Sequence, residues 1–201
     1  ENYGQSIAAG DFNGDGFDDL VIGTPQYQTD SNITGIVYLH AGSASGLNSS
    51  ESWNWSLNST EGETGFLVSS AGDIDGDGDD ELLIVSPNHT IAVDAEKGRV
   101  DMFLGSLTPW GNQSNWSLDG STIDAKLGMS IAGGGDVNGD GYADIAISAT
   151  GSKSSPFGYG AVHIFHGGST GISNQPQTSI MVDVQGKLFG YHLAWVDLDG
   201  N

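Results

Sequence analysis

The sequence predicts an all-β chain, a β-propeller segment of four-stranded antiparallel blades with about three blades and the start of a fourth. Three observations carry that prediction. An acidic nine-residue stretch recurs at Asp11–Asp19, Asp73–Glu81 and Asp136–Asp144, and a stub of it opens at Asp197, the first residues lying 62, 63 and 61 apart. Each copy holds about four short apolar segments divided by Gly, Ser, Asn and Asp. Glycine supplies 32 of 201 residues, about twice the usual ~7%, which opposes helices because an interior Gly costs roughly 1 kcal/mol relative to Ala.

The segments repeat in order. Before the acidic stretches stand Tyr3–Ala8, Leu127–Ala132 and Phe189–Ala194, with Gly65–Ser70 as a degenerate second copy. After them come Leu20–Pro25, Leu82–Pro87 and Ile145–Thr150. A third set, Gly35–Leu39, Gly98–Met102 and Gly160–Ile164, begins 24, 25 and 24 residues after the first Asp of each stretch. It runs almost continuously apolar, the expectation for strands covered on both faces. Trp55–Leu57 and Trp116–Leu118 close two copies, and Ile180–Val182 closes the third without a Trp. Their lengths and their β-branched and aromatic content favour strands. The repeat boundaries follow as 1–62, 63–125, 126–187 and a truncated 188–201. Four strands per repeat at a long fixed period point to propeller blades. A β-sandwich of duplicated hairpins is the competing arrangement.

Composition excludes several functions. With 26 acidic against 5 basic residues the net charge is −21, so the Lys and Arg clusters that nucleic acid and anionic membranes require are missing. There is no cysteine, hence no disulfide, zinc-thiolate or cysteine nucleophile. No apolar run approaches the length of a membrane span, so direct membrane insertion is not expected, and the first residues do not read as a signal peptide.

Fifteen of the 26 acids lie in the four acidic stretches. Positions 1, 3 and 5 carry Asp or Asn, position 6 is Gly (Gly16, Gly78, Gly141), and position 9 is Asp19, Glu81 or Asp144. Side chains at 1, 3, 5 and 9 with a main-chain carbonyl at 7 can wrap one hard cation in oxygen. Ca2+ accepts six to eight such ligands, whereas Mg2+ demands tighter octahedra and more water. The opening matches that of an EF-hand, but position 12 is Ile22, Ile84 or Ile147 inside an apolar segment, where an EF-hand needs Glu and a flanking helix. The stretch therefore joins two strands. One such loop alone reads equally well as an Asx-turn hairpin with solvated acids; three in one register favour Ca2+, at about three sites.

These residues resemble the FG-GAP repeat, the blade unit of integrin alpha-subunit propellers and related secreted proteins. Tyr3-Gly4, Leu127-Gly128 and Phe189-Gly190 look like its Phe-Gly element, Gly23-Thr24-Pro25 like its Gly-Ala-Pro element, and Asp11–Asp19 like its calcium loop. The likeness extends over essentially the whole chain. It implies ligand roles for Asp11, Asn13, Asp15, Phe17 (carbonyl) and Asp19; for Asp73, Asp75, Asp77, Asp79 (carbonyl) and Glu81; and for Asp136, Asn138, Asp140, Tyr142 (carbonyl) and Asp144. The fourth stretch, with Asp197, Asp199 and Asn201, lacks position 9 and completes no site. The second copy departs from the pattern by lacking Phe-Gly and by Val85-Ser86-Pro87, the third by Ser148-Ala149-Thr150 and an extra Gly in Gly133–Gly135, and Glu81 replaces Asp. The resemblance further implies a segment of a closed seven-bladed ring, the rest of which would be supplied elsewhere in a longer chain.

Other constellations reduce to structure. Gly167-Gly168-Ser169-Thr170-Gly171 matches a nucleophile elbow, but the first copy has Gly42-Ser43-Ala44-Ser45-Gly46 in the same place, so a turn common to the blades explains both. His40, His89, His163, His166 and His192 are scattered, and Trp53, Trp55, Trp110 and Trp116 read as core. Seven Asn-x-Ser/Thr sequons, at Asn32, Asn48, Asn54, Asn58, Asn88, Asn112 and Asn115, suit a secreted, glycosylated surface. The expected function is a non-enzymatic, calcium-binding extracellular or cell-surface scaffold for adhesion or recognition of a protein or glycan ligand. The alternative is the propeller portion of a secreted polysaccharide-acting hydrolase or lyase.

Overall fold

The computed structural model describes residues 2–28, 34–57, 62–90, 97–105, 110–121, 125–151, 160–182 and 189–196. Among them are twelve strands and no α-helix. β1 (Ser6–Gly10), β2 (Asp19–Gln28), β3 (Thr34–His40) and β4 (Trp53–Trp55) form one antiparallel sheet in that order. β5 (Leu67–Ser70), β6 (Leu82–Ser86), β7 (Arg99–Phe103) and β8 (Trp116–Asp119) form the second. β9 (Leu127–Gly135), β10 (Asp144–Ala149), β11 (Ala161–Phe165) and β12 (Thr178–Met181) form the third. The chain is thus all-β, and its sheets are propeller blades in which consecutive strands pair with consecutive strands. The same meander in each copy follows from the repeated apolar segments, each ended by residues that favour turns.

The blades pack face to face. One core joins the first two sheets through Val21, Val37, Trp53 and Trp55 on one side and Val68, Ile84, Phe103 and Trp110 on the other. A second core joins the next two through Leu83, Val85, Met102 and Trp116 against Ile145, Ile147 and Phe165. The four tryptophans are indeed core residues, each 5–8% exposed. Three of them also staple blades together: Trp53 Nε1–H donates to the Gly111 carbonyl at 3.4 Å, Trp55 Nε1–H to the Asn112 carbonyl at 3.1 Å and Trp116 Nε1–H to the Ser173 carbonyl at 3.3 Å.

One expectation needs correction. Strands buried on both faces are the second of each later blade, β6 and β10, every residue of which is buried. The third strand of the first blade instead alternates, with Gly35, Val37 and Leu39 buried and Ile36, Tyr38 and His40 half-buried. Those three share the face away from the second sheet, which no described sheet covers. In β7, which has a sheet on each side, only Arg99 escapes full burial.

The second copy lacks the Phe-Gly pair but keeps a glycine in its conformation. Gly65 adopts φ +83°, matching Gly128 at +87° and Gly190 at +80°. A side chain at Gly128 would meet Val85 Cγ1 at 2.6 Å, and one at Gly65 would meet Val37 Cγ2 at 2.8 Å. Glycine is required by positive φ and by the preceding blade pressing on it; in the second copy Thr64 stands where the others have an aromatic or Leu.

Candidate metal centres

The three acidic stretches connect β1 to β2, β5 to β6 and β9 to β10, and they share one hydrogen-bond skeleton. The position 1 carboxylate gathers main-chain N–H groups across the turn. Asp11 accepts from Asp15 (3.1 Å) and Gly16 (2.8 Å), Asp73 from Gly76 (2.7 Å) and Gly78 (3.1 Å), and Asp136 from Gly139 (2.8 Å), Asp140 (3.1 Å) and Gly141 (2.9 Å). Position 3 accepts from the N–H of position 5, at 3.0, 3.3 and 2.9 Å for Asn13, Asp75 and Asn138. Position 5 accepts from the N–H of position 7, at 3.0 Å for each of Asp15, Asp77 and Asp140. Asx-type bonds of this kind wind the chain into a tight loop. The glycines at position 6 carry φ of +84°, +97° and +91°.

Position 9 opens the second strand of the first and third blades, directly precedes it in the second, and is buried: Asp19 is 1% exposed, Glu81 and Asp144 0%. Each binds an N–H from a glycine just past the third strand, Gly42 at 2.8 Å, Gly105 at 3.4 Å and Gly167 at 2.9 Å. Glu81 and Asp144 also accept the N–H of position 2, from Ile74 at 2.6 Å and Val137 at 2.8 Å. Among the described residues none of the three is paired with a cationic side chain. Burial pushes the Asp19 carboxyl above its ordinary value, with Asp15 and Asp11 adding to the effect. Burial drives Glu81 to about 8. Asp75 is raised by burial and then by Asp77, whereas Asp136 is held low by the N–H of Gly141 first and Gly139 next.

Asp73, Asp75 and Glu81 bring carboxylate oxygens within 4.8 Å of one another. In the first loop Asn13 Nδ2 donates to both Asp19 oxygens at 3.0 Å, so the positive end of an amide dipole faces the buried carboxylate. In the third loop Asn138 Nδ2 turns to Asp140 Oδ2 at 2.8 Å and His166 Nδ1 at 3.2 Å. The donor set is oxygen-rich, anionic and partly desolvated, with buried carboxylates that have only N–H partners. It fits a hard divalent cation, whose charge would offset that desolvation. Of the position 7 residues, whose carbonyls were expected as ligands, Phe17 is 42% exposed, while the Asp79 and Tyr142 side chains lie against Gly14 and Gly76 of the preceding loop. Asp197, Asp199 and Asn201 lie outside the described residues.

Successive loops are joined. Asp80 N–H donates to the Asp11 carbonyl at 3.0 Å, and Ala143 N–H donates to the Asp73 carbonyl at 2.9 Å. Sequence reasoning missed this chain of bonds and the glycines that brace position 9, although Gly42, Gly105 and Gly167 recur at the repeat period. It also missed a polar cluster within the second blade. Arg99, the sole arginine, donates from Nε and Nη2 to the fully buried Asp101 carboxylate, each at 2.8 Å, and Ser114 Oγ donates to it at 2.6 Å. The signal was Asp101 itself, where the other copies have Tyr38 and His163. The stretches Gly42–Gly46 and Gly167–Gly171 both close turns, Gly46 N–H reaching the Ser43 carbonyl at 2.9 Å and Gly171 N–H the Gly168 carbonyl at 2.7 Å.

This architecture of repeated blades with an acidic loop between the first two strands defines a class. The FG-GAP repeat model matches residues 3–40, 67–101 and 127–165, more than half of the chain, one match per sheet. The chain belongs to the FG-GAP repeat family. It is similar to integrin alpha-PS2 of Drosophila melanogaster, 34% identical over 219 residues covering 98% of this chain and 14% of that protein. It is also similar to integrin alpha-5 of Xenopus laevis, 33% identical over 213 residues covering 99% of this chain and 19% of that protein. Integrin alpha-V of Gallus gallus is 32% identical over 184 residues, 86% of this chain and 16% of that protein. The chain thus spans less than a fifth of the length of these relatives. Among the described residues no helix is long and apolar enough to cross a membrane.

Proposed function

We propose that this chain is part of an extracellular, calcium-stabilised propeller that acts as an adhesion or recognition scaffold. The observation that carries the reading is the buried position 9 carboxylate, present in all three loops without a cationic side-chain partner among the described residues. Asp11, Asn13, Asp15, Asp19 and the Phe17 carbonyl would hold one ion. Asp73, Asp75, Asp77, Glu81 and the Asp79 carbonyl would hold a second, and Asp136, Asn138, Asp140, Asp144 and the Tyr142 carbonyl a third. When bound, Ca2+ supplies positive charge that neutralises the loop and ties the start of the second strand to the turn before it. The residues do the rest: position 1 holds the turn, position 9 anchors it to the third strand, and position 8 hands the geometry to the neighbouring loop.

Each repeat, with boundaries near 62, 125 and 187, would contribute one blade to a larger ring of seven. The partner would be an extracellular protein or glycan. Similarity to integrin alpha chains favours this non-enzymatic reading, and nothing among the described residues favours the polysaccharide-cleaving alternative. Metal analysis of the purified, exhaustively dialysed protein tests the loops: calcium bound in proportion to the three loops supports the assignment, and a calcium-free protein that keeps its full thermal stability overturns it.

A further inference from the structure

The seven sequons are identical as sequence motifs, and the fold separates them. Asn48 lies in the connection from β3 to β4. Its main chain is pinned, its N–H donating to the Ala41 carbonyl at 2.8 Å and its carbonyl facing His40 Nδ1 at 3.1 Å. Its Oδ1 accepts from both the N–H (3.2 Å) and the hydroxyl (3.0 Å) of Ser50, the third residue of its own sequon. That leaves Nδ2 without a partner among the described residues, on an exposed side chain.

Asn54 sits at the centre of β4, the outermost strand of its sheet. Trp53 and Trp55 turn into the core, so alternation along the strand forces Asn54 outward. Its carboxamide makes no hydrogen bond to a described residue. Asn112 is likewise exposed, with a free carboxamide among the described residues and a main-chain carbonyl held by Trp55.

Of the other two described sequons, Asn88 differs, whereas Asn115 is exposed like Asn48 and likewise engages only its Oδ1 among the described residues. Asn88 is half-buried, and its Nδ2 donates to Glu63 Oε2 at 2.8 Å, so a sugar on that nitrogen would have to enter the space Glu63 occupies. Asn115 uses Oδ1 to accept the Leu104 N–H at 3.0 Å, closing the connection between β7 and β8. Asn32 and Asn58 lie outside the described residues.

We infer that Asn48, Asn54 and Asn112 are N-glycan acceptors and that Asn88 is not. This rests on the extracellular reading above, because the donor, a lipid-pyrophosphate-linked oligosaccharide, is met in the secretory pathway. The asparagine Nδ2 attacks the anomeric carbon and a C–N bond forms. The C–O bond to the pyrophosphate breaks and its electron pair leaves with the lipid pyrophosphate, while the amide gives up one proton. The sugars would stand on the blade end that carries the metal loops and on the open edge of the first sheet. A bulky polar group at Asn54 would obstruct strand addition at that edge, which has no lysine to discourage it.

The test uses the full-length protein made in eukaryotic cells and taken from the surface or medium fraction. Peptide N-glycosidase treatment in heavy-oxygen water, followed by tandem mass spectrometry, marks each occupied asparagine. The label is expected at Asn48, Asn54 and Asn112 and absent from Asn88. Ser50→Ala and Asn54→Gln should each remove one glycan step in gel mobility, and Asn88→Gln should remove none. Surface-delivered protein with Asn48, Asn54 and Asn112 unlabelled overturns this inference alone, as does label at Asn88 in folded protein. A protein that never reaches the surface or medium and carries no glycan overturns the extracellular reading, and this inference with it.

Discussion

Phe103 and Phe165 occupy the same place in successive blades, and replacing each by Leu should have unequal costs. Both are fully buried. The Phe103 ring meets three indoles, Trp53 at 5.1 Å, Trp55 at 5.2 Å and Trp110 at 5.5 Å between centroids. Phe165 meets one, Trp116 at 5.6 Å. A Phe→Leu change keeps most of the buried apolar volume, so the two transfer terms nearly cancel in the comparison. Aromatic pairs contribute about 0.5–1.5 kcal/mol each beyond burial. Losing three rather than one makes Phe103→Leu costlier than Phe165→Leu by about 1–3 kcal/mol. Urea unfolding followed by far-ultraviolet circular dichroism, in excess calcium and with slopes compared between variants, reads the difference. Equal costs, within about 0.5 kcal/mol of one another, would refute the claim that the first blade interface is held by an aromatic cluster that the second lacks.

Other outcomes follow from the same geometry. Arg99→Met leaves Asp101 buried with Ser114 but without its guanidinium, so stability should fall by about 3–5 kcal/mol, and Arg99→Met combined with Asp101→Leu should recover most of it, as thermal melts would reveal. Gly35 has φ +89° and a side chain there would lie 2.2 Å from the Thr64 nitrogen, so Gly35→Ala should cost more than about 2 kcal/mol in chemical denaturation. Gly16, at φ +84° with open space around it, should tolerate Asn within roughly 1 kcal/mol in the same assay. Glu81 has a folded pKa of about 8 against an ordinary 4.5, so the metal-free fold binds the extra proton and should lose stability as pH rises from 4.5 to about 8. Calcium binding must expel that proton, so affinity at the second loop should weaken about tenfold per pH unit below that pKa, and Glu81→Gln should abolish that pH dependence in calcium titrations.

The blade meander was legible because its causes are local and repeated: apolar segments of strand length, turn residues between them, and acids in a fixed register. The loop skeleton was legible for the same reason, since Asp11, Asp73 and Asp136 bind N–H groups three to five residues onward. What escaped notice depends on neighbours distant in sequence. The bond from Asp80 to Asp11 exists only once two blades stack. Gly105 reaches Glu81 across 24 residues, and half-burial of β3 reflects which of its faces has a sheet beside it. Gly65 looked out of place because its usual preceding aromatic is Thr64, yet positive φ and the pressure of Val37 need the glycine whatever precedes it.

The central claim is that three loops hold calcium and that calcium holds the blades. Calorimetric titration of chelator-stripped protein, with melts of both forms, tests it most directly. A site with Kd near 10 µM in about 1 mM calcium contributes about 2.7 kcal/mol by linkage. The account predicts a stoichiometry near three and a melting temperature that rises steeply with calcium. Absence of binding at millimolar calcium, with a melt indifferent to chelator, would contradict it and reduce the loops to acidic hairpin turns.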